Sequence, residues 1–404
     1  MPLVTASAER TTHDLYYGPG HRLVHKRLAA NGTCKTRSSA GASSSAIASP
    51  SSSASGSHST SPSSINPSGS ASASHSSSAS SSRSSSGSAT KSASATSSAP
   101  SSTSSSSSKY KLADLHEGST FFDEWNFFTG ADPTHGNVNF VSQASASKAG
   151  LAVVQSDNTA IIAVDSTSKV AAGGSRNSVR ISSKKLYSSG LFIADFSHMP
   201  QGCGTWPAWW SAGPNWPSAG EIDIIEGVND QANNQYTLHS GTGSTCTLSR
   251  TPAAAEAFTS NVLGTTCLSN DASNSGCGFS DPSPTSFGPG FNAAGGGVFA
   301  HLWDSTGIKI WRFARSAIPA DVTSRTPNPS GWGTPAAAWG GGDCDIQSHF
   351  FDHALTLDTT VCGDWAGDAY AQSGCPGTCA QMMANATNFK EANWGVKSIA
   401  IYQL

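Results

Sequence analysis

The chain is poor in charge, and what it lacks excludes several kinds of partner. Only 12% of its 404 residues are Asp, Glu, Lys or Arg, and the formal net charge is −3. Its Lys and Arg residues form no basic patch beside the aromatic residues, which argues against a nucleic acid partner. No apolar run is long enough to span a membrane, and residues 401–404 are not the hydrophobic tail of a lipid-anchor signal. We expect a monomer without a membrane-spanning segment that acts on a neutral polymer.

Apolar side chains are also scarce in the first hundred residues. Residues 38–108 consist of Ser with Ala, Gly, Thr and Pro, so this stretch buries too little surface to offset the entropy of ordering. We predict a disordered linker, whose Ser and Thr density suits O-glycosylation. Residues 1–37 are short and polar, with a possible N-glycan acceptor at Asn31, and no fold is assigned to them. Residues 109–404 form the predicted folded domain.

The cysteines indicate an oxidising compartment. One of the nine, Cys34, lies in the N-terminal segment, which leaves eight in the folded domain. An even set in a loop-rich domain is typical of disulfides in extracellular proteins, although eight cysteines allow 105 pairings. Cys375 and Cys379 lack the His neighbours and the second Cys pair of a zinc site. We expect an extracellular protein without a metal, although the first thirty residues contain no apolar signal-peptide core.

Long helical periodicity is absent from the folded domain. Short apolar stretches at 137–141, 160–164, 191–196 and 308–313 are separated by Gly, Ser, Asn and Pro, and residues 396–402 read as a last core strand. In residues 307–313 apolar and basic residues alternate, which predicts a sheet with one wet face. We therefore predict an all-β domain of two packed, curved sheets with a concave cleft.

The most informative segment is residues 220–227, where three carboxylates lie among isoleucines. In a strand, residues i and i+2 share a face, so Glu221 and Asp223 point one way while the isoleucines point into a core. Glu226 then falls on the wrong face. One extra residue, a β-bulge at Ile224 or Ile225, would return Glu226 to the side of the other two. We predict that bulge and a cleft lined by all three carboxylates.

Such a set suits hydrolysis of a glycosidic bond with retention. That chemistry needs a carboxylate nucleophile and a carboxylic acid roughly 5 to 5.5 Å apart, on either side of the sugar. A third carboxylate can hold one glutamate and separate the protonation states of the two. Two other interpretations compete with this one: a divalent metal site, which more often draws on loop oxygens, and a solvated edge strand, which would carry Lys or Arg partners.

Four of the 11 tryptophans come just before the carboxylates. Sugars stack their C–H faces on such rings, while their hydroxyl groups need polar partners at the edge. By alternation Trp206 and Trp210 share one face and Trp209 takes the other, so at least one of them is expected in the core. Trp206, and Trp216 in a loop between two prolines, are the better candidates for contact with a sugar.

Several segments together resemble the fungal laminarinase branch of glycoside hydrolase family 16. They are residues 199–208, 220–230 and 237–239, with 132–136, 176–180 and 362–367. The resemblance implies a β-jelly-roll sandwich, concanavalin A-like, of two antiparallel sheets. It also implies an enzyme that cuts internal β-1,3 bonds in β-1,3-glucans and in mixed-linkage β-1,3/1,4-glucans with retention, without a cofactor. Two residues between Asp223 and Glu226 are typical of the bulged strand of laminarinases.

The same resemblance assigns roles to residues of this chain. Glu221 corresponds to the nucleophile, Glu226 to the general acid and base, and Asp223 to the assisting carboxylate. His239 matches a histidine near the acid and base glutamate. Further positions expected along the glucan groove are Trp206, Trp216, Arg180, Asn139 and Trp365.

Three functions follow from these residues. The first is an endo-β-glucanase of the laminarinase type. A cell-wall transglycosylase would share its covalent intermediate and pass the glycosyl group to another glucan. A glucan-binding lectin on the same sandwich would dispense with Glu221 or Glu226, and both are present.

Overall fold

The structure is a computed structural model, and it describes residues 108–243, 245–248, 257–270, 273–340 and 343–404. The predicted N-terminal segment 1–37 and all of the predicted linker except Ser108 lie outside the described residues. In the described residues no helix is long and apolar enough to cross a membrane.

In the part of the chain that the structure describes, eighteen strands account for most of the regular structure. They are β1 Lys111–Glu117, β2 Trp125–Phe127, β3 Val138–Phe140, β4 Ala152–Val154, β5 Ala160–Ala163, β6 Arg176–Ser178, β7 Arg180–Ser183, β8 Gly190–His198, β9 Thr205–Ala212, β10 Glu221–Glu226, β11 Gln235–His239, β12 Asn261–Gly264, β13 Cys277–Ser280, β14 Gly297–Asp304, β15 Gly307–Ala314, β16 Ala337–Gly340, β17 Ala354–Val361 and β18 Asn393–Gln403.

The helices are short, as the missing helical periodicity predicts. They are α1 Gln143–Lys148, α2 Gly288–Ala293, α3 Ala320–Thr323, α4 Ile346–His349 and α5 Cys379–Met382, with a π-helical turn at Gly363–Gly367. The side chain of Thr378 caps α5 in a reciprocal capping box with Gln381.

Two antiparallel sheets of eight strands make up the fold. The front sheet runs β12-β13-β11-β10-β9-β17-β7-β2. The back sheet runs β16-β15-β14-β8-β18-β5-β4, and β1 also pairs with β18. Strands β3 and β6 form a separate parallel pair. The predicted all-β sandwich of two antiparallel sheets is confirmed.

The main core lies between the two sheets. Trp209 and Ile222 from the front sheet belong to the same buried cluster as Phe196 and Ile308 from the back sheet. The rings of Trp209 and Phe196 are 6.2 Å apart and meet edge to face, so the two layers are in direct contact. This contact fixes one face of the front sheet in the core and leaves its other face for a site.

The outer face of the back sheet is less exposed to solvent than the alternation in β15 predicts. Trp311 is buried against Trp332, with ring centroids 5.4 Å apart. Arg312 shares a face with the core residue Ile310 and donates from Nε to Asp281 Oδ2 at 2.9 Å. The prediction of one wet face is wrong because residues after β15 fold back over that face.

All eight cysteines of the folded domain are paired. The disulfides are Cys203–Cys375, Cys246–Cys344, Cys267–Cys277 and Cys362–Cys379. The predicted disulfide set is therefore confirmed, and Cys34 lies outside the described residues.

Candidate active site

The three carboxylates lie on one face of β10, in the middle of the front sheet. Glu221 pairs with Ala212 of β9, and Asp223 pairs with Trp210. The register then shifts, so that Ile225 pairs with Trp209 and Glu226 pairs with Ala208. Because residues paired across antiparallel strands share a face, Glu221, Asp223 and Glu226 all point away from the core that holds Trp209.

A β-bulge produces this arrangement, as the sequence predicts. Asp223 and Ile225 pair with consecutive residues of β9, which leaves Ile224 as the extra residue. Ile222, Ile224 and Ile225 are all fully buried in the core. The bulge therefore keeps every isoleucine inside and returns Glu226 to the carboxylate face.

Glu221 accepts a hydrogen bond from a tryptophan in a loop. The indole Nε1–H of Trp216 donates to Glu221 Oε2 at 2.6 Å. Trp216 is half-buried, and it packs beside the buried Ala208, Trp210 and Ala212. This hydrogen bond fixes the direction of the Glu221 carboxyl group.

Glu226 also accepts a hydrogen bond from a tryptophan, but from a buried one. Trp206 of β9 donates from Nε1 to Glu226 Oε1 at 3.0 Å. Trp365, also buried, meets the ring of Trp206 edge to face at 5.5 Å. Trp365 lies in the π-helical turn that follows Cys362, so the disulfide Cys362–Cys379 closes the loop that carries it.

Asp223 and His239 form a buried pair between the two glutamates. His239 Nε2 lies 3.3 Å from Asp223 Oδ2, and its Nδ1 is hydrogen-bonded to Ser269 Oγ at 2.8 Å. The bond to Ser269 orients the imidazole ring. In the register with β11, His239 pairs with Glu221, and Gln235 is the residue opposite Glu226.

A fourth carboxylate, Asp358 of β17, lies on the same face. It pairs with Ala208, which pairs with Glu226, so the small side chain of alanine separates the two acids. Trp210 Nε1–H donates to Asp358 Oδ1 at 3.3 Å. Burial raises the pKa of Asp358 to about 7, Asp132 and Glu226 add to this shift, and Arg180 opposes it.

Arg180 is the cationic group beside this acid. Its guanidinium Nη1 lies 3.8 Å from Asp358 Oδ2, and its Cζ lies about 5 Å from the rings of Phe128 and Trp210, at 5.0 and 4.9 Å. Stacking on two rings and an acid partner hold a buried arginine in one direction. Arg180 pairs with Asp358 and therefore points to the carboxylate face from β7, with two strands, β9 and β17, between β7 and β10.

One residue departs from the sequence-based ranking of the tryptophans. Trp210, ranked below Trp206 as a sugar contact, lies on the carboxylate face, whereas Trp209 is the core residue. Asn139 is exposed on β3 of the small parallel sheet, outside the front sheet. Asp358 was missed by the sequence analysis. The alternation of residues 355–358 puts its side chain opposite the leucines, but nothing in it indicates that β17 pairs with β9.

Among the described residues, one group of side chains has the spacing of metal ligands. Cys203, Asp230 and Cys375 bring their ligand atoms within 4.8 Å of one another. Both cysteines are joined in a disulfide, so neither offers a thiolate to a metal.

Comparison with known proteins places this geometry in a family. Residues 125–402 match the model described as the XgeA-like catalytic domain of glycoside hydrolase family 16. A probable glycosidase of Schizosaccharomyces pombe is 44% identical over 298 residues, which cover 73% of this chain and 69% of that protein. A probable endo-1,3(4)-β-glucanase of Aspergillus fumigatus is 44% identical over 306 residues, and the match spans 45% of its length.

Two solved structures are similar over the same part of the chain. Laminarinase 16A of Phanerochaete chrysosporium, solved with β-glucans in donor and acceptor sites, is 41% identical with a TM-score of 0.69. The match covers 73% of this chain and 99% of that one. An elongating β-1,3-glucosyltransferase of the same family is 40% identical with a TM-score of 0.68, over 73% of this chain and all of that chain.

Proposed function

The chain belongs to glycoside hydrolase family 16, and from that premise we propose that it cleaves internal β-1,3 bonds of β-glucans with retention. The observation that carries this proposal is the bulge in β10. It gathers Glu221, Asp223 and Glu226 on one face, and each glutamate receives an indole N–H. A retaining enzyme needs two such carboxyl groups at close range, one as nucleophile and one as acid.

The two glutamates take the two parts of a double displacement. Glu221 attacks the anomeric carbon, and Glu226 gives its proton to the departing sugar oxygen, which leaves a glycosyl ester on Glu221. Glu226 then takes a proton from water, which attacks the same carbon and frees Glu221. Asp223 lies between them on β10 and pairs with His239 of β11.

A neutral glucan fits the surroundings of the carboxylates. Trp206, Trp210 and Trp216 present rings and indole N–H groups on this face, and Arg180 adds a buried donor set. Sugar-binding sites typically combine aromatic rings, which stack on the C–H faces of the sugar, with a few fixed polar groups that bind its hydroxyl groups. The similar proteins named endo-1,3(4)-β-glucanase and laminarinase support β-1,3 and mixed-linkage glucans as the substrate class.

Transglycosylation is the second candidate, because one similar structure is an elongating β-1,3-glucosyltransferase. Both reactions form the same glycosyl ester on Glu221, and they differ in whether water or a sugar hydroxyl accepts the glycosyl group. A lectin would use the same groove without turnover, and the intact carboxylate set favours the enzyme over it.

The test incubates the purified protein with laminarin, mixed-linkage barley glucan, cellulose and xyloglucan, and resolves the products by chain length over time. Glu221→Gln is the matched control. Short oligomers from laminarin, with a β-anomer formed first, support the proposal. Products longer than the starting oligosaccharide indicate transfer, and binding without products indicates a lectin.

We also propose that residues 109–404 act as the catalytic unit in an extracellular setting. The disulfides and the fungal relatives are consistent with that location. Ser108 belongs with this unit, since its Oγ donates to Pro327 O at 2.6 Å and accepts from Tyr110 N at 3.1 Å. A protein that begins just before Ser108 should therefore match the full chain in activity on short oligosaccharides.

A further inference from the structure

The bulge that aims Glu226 needs partners for its own backbone. A bulged residue breaks the ladder of hydrogen bonds between strands, and a buried backbone N–H or C=O without a partner is costly. Strand β10 is buried along its whole length, so water is excluded from this position. The backbone groups at the bulge that need hydrogen-bond partners are the N–H of Glu226 and the carbonyl of Ile224.

One side chain serves both groups. Asn234 Oδ1 accepts from the backbone N–H of Glu226 at 3.1 Å, and Asn234 Nδ2 donates to the carbonyl of Ile224 at 2.9 Å. A side-chain amide is suited to this task because it carries a donor and an acceptor side by side. Asn234 is fully buried, one residue before β11.

Asn234 is itself fixed from the opposite side. Its backbone N–H donates to Ser286 Oγ at 2.8 Å, and its carbonyl accepts from Asp281 N at 2.9 Å. The hydroxyl of Ser286 donates in turn to the carbonyl of Ser283 at 2.7 Å. Hydrogen bonds on the side away from the bulge therefore hold the backbone of Asn234.

These two bonds fit only the bulged strand. They bind the carbonyl of residue 224, the extra residue of the bulge, and the N–H of residue 226, where pairing with β9 has already shifted by one residue. In a regular strand Glu226 would turn to the core face, because neighbouring positions alternate between faces. Its carboxyl group would then lose the bond from Trp206 and leave the cleft.

We propose that Asn234 is a positioning residue for the acid and base step, whose side-chain amide fixes the bulge and thereby the direction of Glu226. The inference rests on the proposed role of Glu226. Asn234 touches neither sugar nor reacting atoms, and it acts through the backbone of the strand that carries the acid.

The test compares Asn234→Asp with Asn292→Asp. Aspartate keeps the shape of asparagine but, when ionised, cannot donate to the carbonyl of Ile224. Asn292 is a matched control, because its amide also accepts from one backbone N–H and donates to one carbonyl, both of Met199 at 2.9 Å. It lies on α2 and none of these bonds involves β10.

Two substrates and one added nucleophile report on the acid and base step. Laminari-oligosaccharides need a proton on the leaving sugar, whereas an aryl β-laminaribioside with a dinitrophenyl leaving group does not. Azide attacks the anomeric carbon of the glycosyl ester, the bond to Glu221 breaks, and β-glycosyl azide forms without a general base. Azide therefore restores turnover only where Glu226 fails as a base.

We expect Asn234→Asp to lower kcat on the oligosaccharide about 10- to 100-fold, with little change in KM, since a misplacement of about 1 Å costs up to about 100-fold. The aryl substrate should lose less, and azide should raise its turnover and yield glycosyl azide. Asn292→Asp should stay within about twofold of the wild type, without a response to azide.

Equal losses on both substrates without a response to azide would show that Asn234 is only structural and would overturn the inference. If Asn234→Asp does not fold, Ser286→Ala loosens the same amide more gently and should give the same azide signature at about two- to fivefold loss. Glu226→Gln separates the two proposals. If azide does not rescue it, the role of Glu226 is wrong; if azide rescues it but not the Asn234 variant, only the inference fails.

Discussion

The two ends of strand β10 present the same bond in different surroundings. At each end a glutamate accepts from a tryptophan indole, at 2.6 Å for Glu221 and 3.0 Å for Glu226. Trp216, which serves Glu221, is a half-buried loop residue. Trp206, which serves Glu226, is a buried strand residue backed by Trp365.

This difference follows the demands of the chemistry. The acid and base must be aimed correctly in both steps, once at the leaving oxygen and once at water, so a rigid support is useful. The nucleophile travels toward the anomeric carbon and back, and a loop tryptophan leaves room for the sugar to approach. We therefore expect changes at the Glu226 end to alter proton transfer, and changes at the Glu221 end to alter the formation of the covalent intermediate.

The sharpest comparison is between the two glutamates themselves. Glu221→Gln should remove nearly all turnover on every substrate, because no glycosyl ester can form. Glu226→Gln should lower turnover on oligosaccharides by about 100- to 10,000-fold, the usual range for a general acid. It should spare the first step on an activated aryl substrate, which releases a burst of phenol. Stopped-flow measurement of that burst checks the assignment. A burst from Glu221→Gln and none from Glu226→Gln would show that Glu226 is the nucleophile and Glu221 the acid and base.

Much of this arrangement is readable from the sequence, and the reason is the period of two in strands. Three carboxylates among isoleucines require a bulge if they are to share a face, and the register confirms it at Ile224. The same alternation puts Trp206 and Trp210 on one face and Trp209 on the other, and the structure shows that Trp209 is the one in the core between the sheets. Even the disulfide content follows from the cysteine count.

What the sequence does not reveal comes from pairing between distant strands. Asp358 reaches the site because β17 pairs with β9, and periodicity says which face a residue takes but not which strand lies beside it. His239 lies opposite Glu221 for the same reason. Asn234 is missed because its role depends on backbone groups freed by the bulge, which no local pattern of residue types displays.

Two disulfides, one near each end of β10, give a second comparison. We expect the loss of either one to lower the free energy of unfolding by about 3 kcal/mol. Cys362–Cys379 spans 17 residues and closes the loop with Trp365, while Cys267–Cys277 spans 10 residues near Ser269. Loop entropy predicts about 3 kcal/mol for the first and slightly less for the second. The double Ser variants should therefore lose similar amounts of stability in denaturant unfolding.

Activity should separate these two variants where both remain folded. Loss of Cys362–Cys379 frees Trp365 and, through it, the ring that holds Glu226, so turnover on oligosaccharides should fall more than turnover on the aryl substrate. Loss of Cys267–Cys277 should affect both substrates alike through His239. The same ratio of activities in both variants would show that Trp365 does not support the acid.

Replacing each indole by a phenyl ring removes one hydrogen bond to a carboxylate, worth about 1.5 to 3 kcal/mol. Trp216→Phe should lower kcat about 10- to 100-fold on both substrates, since it disturbs the nucleophile. Trp206→Phe should lower kcat on oligosaccharides by a similar factor, spare the aryl substrate and reduce Tm through its contact with Trp365. If both variants showed the same substrate pattern, the two ends would not differ as proposed.

The smallest expected effect concerns Asp358, on the Glu226 side of the cleft. Burial raises its pKa from 3.8 to about 7, so the folded protein binds this proton more tightly than the unfolded chain. The stability that comes from the proton is complete below about pH 4 and is lost as the pH rises to about 7. Asp358→Asn imitates the protonated acid. Relative to the wild type, its free energy of unfolding should therefore increase from pH 4 to pH 7, by at most about 1.4 kcal/mol per pH unit. Its Tm relative to the wild type should rise over the same range.

Asp157→Asn supplies the control for this measurement. Asp157 is exposed, and its bonds to Lys397 and Thr159 lower its pKa to about 2, which is the opposite direction. The folded protein therefore holds the Asp157 proton less tightly, and any difference from the wild type should develop below about pH 4 rather than between pH 4 and 7. A Tm difference for Asp358→Asn that stays constant from pH 4 to 7 would mean that Asp358 is ionised throughout. Arg180 would then carry a permanent ion pair, and the acid end of the cleft would hold one more negative charge than we infer.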